Sequence, residues 1–286
     1  MEKHININDK HKDRLFNFVF GRSENREWTL SLYNAVNNSH YTDASLIEFN
    51  TLENVLYLKM RNDTSFLIKG TLNLYEHQST YNPNMPLRQL DYLVKLFSSY
   101  IDKYNENIYG TSLITLPTPK LIVFYNGESE QAEETILKLS DSFDEKTRNQ
   151  ADIEVTVKML NINYGHNKEL MKACQPLKEY AWFVDNVRKK CNDKYTIEEA
   201  VDQSIDDMPD SFELKNFLSS QRTEVKGMLE TEYNEEKIRR LFVAEERRNT
   251  ERERQRADAE KARADAAEEE IKLLKEELAK LKSDKL

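Results

Sequence analysis

The apolar positions follow two rhythms that change along the chain. Leu15, Phe18, Val19 and Phe20, then Trp28, Leu32 and Val36, recur at helical spacing, so residues 9–36 predict two helical pieces broken at Gly21. Three strand-like runs follow at Asn54–Met60, Thr64–Lys69 and Leu72–Gln78, and Lys69-Gly70 has the length and composition of a hairpin turn. Pro86 suits the first turn of a helix, one that carries Leu90, Leu93, Val94, Phe97 and Ile101 toward a core. Pro117 and Pro119 lead into Leu121-Ile-Val-Phe-Tyr125, an unbroken apolar run that predicts a buried central strand. Ile153, Val155, Val157 and Met159 alternate and predict a strand over 152–160, after which everything from about 167 reads as helix. The fold class expected is α/β: a core over 1–165, a helical extension over 166–235, and a charged helical tail over 236–286.

The tail has its own pattern. After Phe242 it contains no Gly, no Pro and no aromatic residue. With Ile271 at heptad position a, Leu274 falls at d, Leu278 at a and Leu281 at d, a coiled-coil seam two heptads long. Earlier d positions hold Glu253 and Glu260, so the seam is poor there. A single solvated helix held by i,i+4 charge pairs is the competing reading. A coil implies a homo-oligomer through the C-terminal helix.

Composition narrows the class. Only six glycines and six prolines occur in 286 residues, which fits long helices better than a barrel of many short strands. No run approaches the ~18 apolar residues of a membrane helix, so no membrane association is expected. Cys174 and Cys191 lie too far apart for a metal knuckle and read as free thiols of a reducing, cytoplasmic setting. The net charge of −9 disfavours a nucleic-acid partner only on average. Residues 1–120 balance 13 basic against 13 acidic side chains, and the acidity concentrates in 121–231. The first half is therefore left open to DNA.

Most chemical signatures are missing. There is no P-loop, no G-x-G-x-x-G, no H-E-x-x-H and no G-x-S-x-G, which removes most kinases, ATPases, zinc peptidases and serine hydrolases. What remains is the hairpin from Asp63 to Gln78. Strand alternation puts Glu76 and Gln78 on one face and Tyr75 and His77 on the other. A turn near Gly70 brings Asp63 and Glu76 to one end of the sheet. Two such carboxylates repel by ~4 kcal/mol at a separation of about 4 Å, so they share a proton or bind a hard cation such as Mg2+. The plainer reading is that Asp63 caps a turn and Glu76 is exposed on an edge strand. His166 reads as part of a turn, and Tyr180, Trp182 and Phe183 as helix packing.

The hairpin resembles the PD-(D/E)XK nuclease superfamily. The run Leu74-Tyr-Glu-His-Gln-Ser-Thr-Tyr-Asn-Pro-Asn-Met-Pro-Leu-Arg88 is similar to its recombination-promoting, transposase-like branch. So are Asp13-Arg-Leu-Phe-Asn-Phe-Val-Phe-Gly21, Pro117-Thr-Pro-Lys-Leu-Ile-Val-Phe-Tyr-Asn-Gly127 and Met159-Leu-Asn-Ile-Asn-Tyr-Gly-His-Asn167. The resemblance spans residues 9–235 and leaves out the tail. It implies a restriction-endonuclease-like core, a mixed sheet flanked by helices, and a metal-dependent DNA endonuclease. Asp63 and Glu76 would be catalytic and hold Mg2+ or Mn2+, with Glu48 or Glu53 as a further metal carboxylate. Gln78 stands where the superfamily has its Lys; it would orient water by hydrogen bonding, without a positive charge. Arg88 would contact phosphate or, equally, form a structural ion pair. The alternative function is a catalytically weakened DNA-binding or assembly protein that oligomerises through its C-terminal coil.

Overall fold

The computed structural model describes residues 15–49 and 64–234, and 245, 247–255, 257, 258 and 261 of the tail. One compact unit ends at Tyr233 and a second begins at Asn234. The chain opens with α1 (Leu15–Phe20) and α2 (Arg26–Asn37), joined by a single turn of 3-10 helix at Ser23–Asn25. Gly21 ends α1, where an added Cβ would collide with the Asn17 and Thr64 side chains. The break expected there is present.

Six strands form one sheet among the described residues: β1 (Glu48–Phe49), β2 (Thr64–Ile68), β3 (Thr71–Gln78), β4 (Thr118–Tyr125), β5 (Glu134–Lys138) and β6 (Thr156–Asn161). Their spatial order is β1-β2-β3-β4-β6-β5. The pairs β1–β2, β2–β3 and β5–β6 are antiparallel, while β3–β4 and β4–β6 are parallel. The hairpin β2–β3 closes at Ile68↔Thr71, leaving Lys69 and Gly70 as a two-residue loop with φ of 47° and 77°. Positive φ at both central residues matches the right-handed twist of the flanking strands, as a type I′ turn requires. The Gly70 carbonyl then accepts from Thr118 N at 2.9 Å, tying the turn to the start of β4.

Helices cover both faces. α3 (Met85–Lys103) lies on one face, over Leu72, Leu74, Val123 and Tyr125. The other face, with Phe66, Tyr75, Ile122, Phe124 and Leu160, packs against α1, α2, α4 (Lys168–Ala173), α5 (Gln175–Asn192), α6 (Ile197–Asp206), α7 (Glu213–Ser220) and the helical residues 222–233. A mixed sheet between two helical layers is an α/β architecture. The helices between 168 and 233 share that core and belong to the same compact unit as the sheet. Buried Glu179 of α5 joins them directly: it accepts from Gln175 Nε2 and from Leu214 N in the first turn of α7, both at 2.9 Å. α6 carries its own capping box, Thr196 with Glu199. No helix among the described residues is long and apolar enough to cross a membrane.

Several local expectations need correction. The buried stripe of α3 is Met85, Pro86, Gln89, Tyr92, Leu93 and Leu96, and Val94 is 54% exposed. Leu90 and Phe97 pack against the core beside this stripe, and buried Gln89 joins it, its Nε2 donating to the Ile122 carbonyl at 3.3 Å. Strand β6 starts at Thr156 instead of 152, and Ile153 is exposed, because β5 pairs only with 156–160. β1 and β5 are unforeseen. β5 is an edge strand with Glu134 and Lys138 at its ends and one fully buried side chain, Leu137, so its apolar signal is weak. The run at 54–60 and the heptad positions Ile271, Leu274, Leu278 and Leu281 lie outside the described residues.

Candidate active site at the carboxyl ends of the parallel strands

Glu76 sits near the end of β3, an interior strand paired with β2 on one side and β4 on the other. It is 2% exposed, so the edge-strand reading fails. A carboxylate taken out of water needs compensating donors. Oε1 receives two, Gln78 Nε2 and Arg88 Nη2, both at 2.6 Å. Gln78 reaches it because residues two apart on a strand share a face. Arg88 reaches it from the first turn of α3, where Pro86 sets the helix start. Arg88 is also steadied by Tyr92, whose hydroxyl lies 3.3 Å from Nη2, and it remains 39% exposed at its side chain.

The Gln78 amide has only one sensible orientation here. A carboxylate can only accept, so the NH2 end faces Glu76 and the carbonyl end points away. Gln78 Oε1 has no protein partner among the described residues. It is a fixed acceptor beside a buried carboxylate.

Of the other candidates, Asp63 and Glu53 lie outside the described residues. Thr64, which follows Asp63 in sequence, pairs with Tyr75. Glu48 is exposed and its ion pair goes to Lys103 at 3.7 Å, with no contact to Glu76. Among the described residues no group of three or more His, Cys, Asp or Glu is placed to hold a metal ion. His77 lies on the opposite face, stacked on Phe16 at 5.2 Å with Nε2 3.2 Å from the Tyr180 hydroxyl. Next to it the Tyr75 phenol is fully buried, and desolvation pushes its pKa up. Tyr180 and Phe183 are core residues, and Trp182 packs edge-on against Phe212 at 5.6 Å. His166 belongs to the turn at the start of α4, where Glu133 Oε1 is 3.1 Å from its Nδ1 and Oε2 accepts from Asn167 N.

A second polar group lies on the same edge of the sheet and involves residues that the sequence did not single out. Asn126 N donates to the Gln78 carbonyl at 2.8 Å, and the Asn126 side chain is 1% exposed. Arg188 of α5 donates Nη1 to Asn126 Oδ1 at 2.5 Å and to Asn163 Oδ1 at 3.1 Å, and Nη2 to the Asn126 carbonyl. Asn163 is in turn held by Asn161 Oδ1 and the Gly127 carbonyl. Gly127 permits this closeness, since a Cβ there would strike the Ser79 carbonyl and the Tyr125 ring. Asn126 Nδ2 is buried without a partner among the described residues, an omission that costs about 1–3 kcal/mol. The available signal was modest: an apolar strand run ending in Asn-Gly, and Asn at both 161 and 163 after the next one.

Compared with known protein families, with curated proteins and with solved structures, the chain matches none.

Proposed function

We propose that this chain is a metal-dependent DNA endonuclease with a PD-(D/E)XK-type core, of the transposase-like, recombination-promoting branch. The observation that carries the reading is the Glu76 carboxylate, buried on an interior strand, with Gln78 and Arg88 both directed to its Oε1. Ligands of open α/β sheets gather outside the carboxyl ends of the parallel strands, and this group stands there. The fit to a divalent cation rests on donor chemistry: Glu76 supplies a hard oxygen of the kind Mg2+ or Mn2+ takes, and Asp63 would be its partner. When bound, the ion polarises the scissile phosphate and lowers the pKa of a water. Gln78 accepts a hydrogen bond from the attacking water through its outward Oε1 and so orients it. Arg88, half-exposed beside the carboxylate, contacts a phosphate oxygen. The C-terminal heptads would join copies of the chain and so supply two active sites for a two-strand cut.

A second reading has its own support. Arg88 already neutralises Glu76 in an ion pair at 2.6 Å, an arrangement that suits a DNA-binding or assembly protein with weakened cleavage. One experiment separates them: full-length protein is incubated with supercoiled and linear DNA, with Mg2+, with Mn2+ and with chelator. Nicking that needs the metal and disappears in both Asp63→Ala and Glu76→Ala supports the nuclease. Cleavage retained by both variants rejects this site. Binding without cleavage under every condition favours the second reading. Gln78→Ala should lose activity while Gln78→Lys keeps or raises it.

A further inference from the structure

We propose that Arg188, held by Asn126 and Asn163 at the carboxyl end of β4, is a phosphate-binding residue that seats a phosphodiester group. Its role in DNA binding rests on the nuclease reading, but the seat itself does not. All three oxygens that hold the guanidinium, Asn126 Oδ1, Asn163 Oδ1 and the Asn126 carbonyl, are neutral. They fix its direction and leave its charge in place. Asp185, three positions before it, pairs with Lys189 at 2.6 Å, and Glu133, in the segment after Asn126, is engaged by His166 and the Asn167 backbone. No carboxylate among the described residues pairs with Arg188.

The donor count points to the ligand. Nη1 gives both of its hydrogens to amide oxygens and Nη2 gives one, which leaves Nε–H and one Nη2–H without a protein acceptor among the described residues. Two N–H groups on a rigid planar cation match two oxygens of a phosphate. The location agrees. Asn126 N is bonded to the Gln78 carbonyl, so the seat is tied to the Glu76–Gln78 pair. Arg188 arrives from α5 and Arg88 from α3, so the two guanidiniums approach the strand ends from the two helical layers. Glu128 and Glu130 follow Asn126 in the loop, which argues for one seated phosphate and against a broad basic track.

The test uses the full chain in chelator, so that cleavage does not enter. Inorganic phosphate should raise the melting temperature of wild type above a chloride control of equal ionic strength. Arg188→Gln and Arg188→Lys should both lose that rise. The same variants should bind a short duplex about five- to ten-fold more weakly, with a salt dependence reduced by about one phosphate contact. A phosphate response that depends on Arg188, in a protein with no affinity for DNA, keeps the seat and rejects the DNA reading. If phosphate leaves wild type unchanged, or Arg188→Lys folds and keeps both responses, Arg188 is a purely structural brace and the proposal is overturned. Should Arg188→Gln fail to fold, the wild-type phosphate response and Arg188→Lys still decide.

Discussion

Cys174 shows how a single side chain reports its surroundings. It lies in the core between α4 and α5, with the Ser31 hydroxyl 3.5 Å from its sulfur, and burial pushes the thiol up to about 11. Because the folded pKa is raised, the native state keeps a proton that the unfolded chain releases earlier. The stabilising contribution is therefore complete below the unfolded pKa and is lost as pH rises from about 9 to about 11. Two pH units correspond to about 2–3 kcal/mol. Urea denaturation of wild type and Cys174→Ala at pH 8 and at pH 10.5 should show a smaller alkaline loss in the variant; equal losses would contradict this. Glu76 is distinguished by its partners. It is a buried carboxyl group with two donors on one oxygen, and its neighbourhood, not its residue type, makes it a candidate for chemistry.

At the scale of elements, the hairpin β2–β3 depends on a conformation that one residue adopts at little cost. Gly70 has φ of 77°, and no atom would lie within 4 Å of an added Cβ, so the penalty of a side chain is conformational alone. Gly70→Ala should destabilise the protein by about 1–2 kcal/mol and Gly70→Asn by less, measured by thermal or urea denaturation. Equal stability of all three would mean that the turn relaxes. A register slip would have a larger consequence. Moving β3 by one residue against its neighbours would exchange the Glu76–Gln78 face with that of Tyr75 and His77, sending the site into the aromatic core.

For the whole molecule, the division at Tyr233 and Asn234 separates a cored unit from the charged tail. Association through the tail would rest on Ile271, Leu274, Leu278 and Leu281, each contributing about 1.5–3 kcal/mol when buried. Ordering some 30 residues opposes that gain at about 1–2 kcal/mol per backbone position, offset mainly by helix hydrogen bonds. A concentration-dependent dimer is the expected balance. Deleting 257–286 should lower the molar mass in light scattering and leave the circular dichroism and melting of the cored unit unchanged. A monomeric full chain at high micromolar concentration rejects the coil, and a truncated chain that stays dimeric moves the contact to the core.

What was legible in the sequence is what depends on near neighbours. The Lys69-Gly70 turn, the buried run of β4, the break at Gly21 and the shared face of Glu76 and Gln78 all follow from local conformation and a period of two. The pairing of Arg88 with Glu76, twelve positions apart, required α3 to pack in one rotation over the sheet. The meeting of Arg188 with Asn126, 62 positions apart, required α5 to cover the other face and β4 to end beside β3. The exposure of Val94 and the burial of Gln89 on α3 were not legible, and the edge strand β5 gave almost no signal. Helix rotation and edge pairing are set by the surface that receives them, and that surface exists only once the distant strands have assembled.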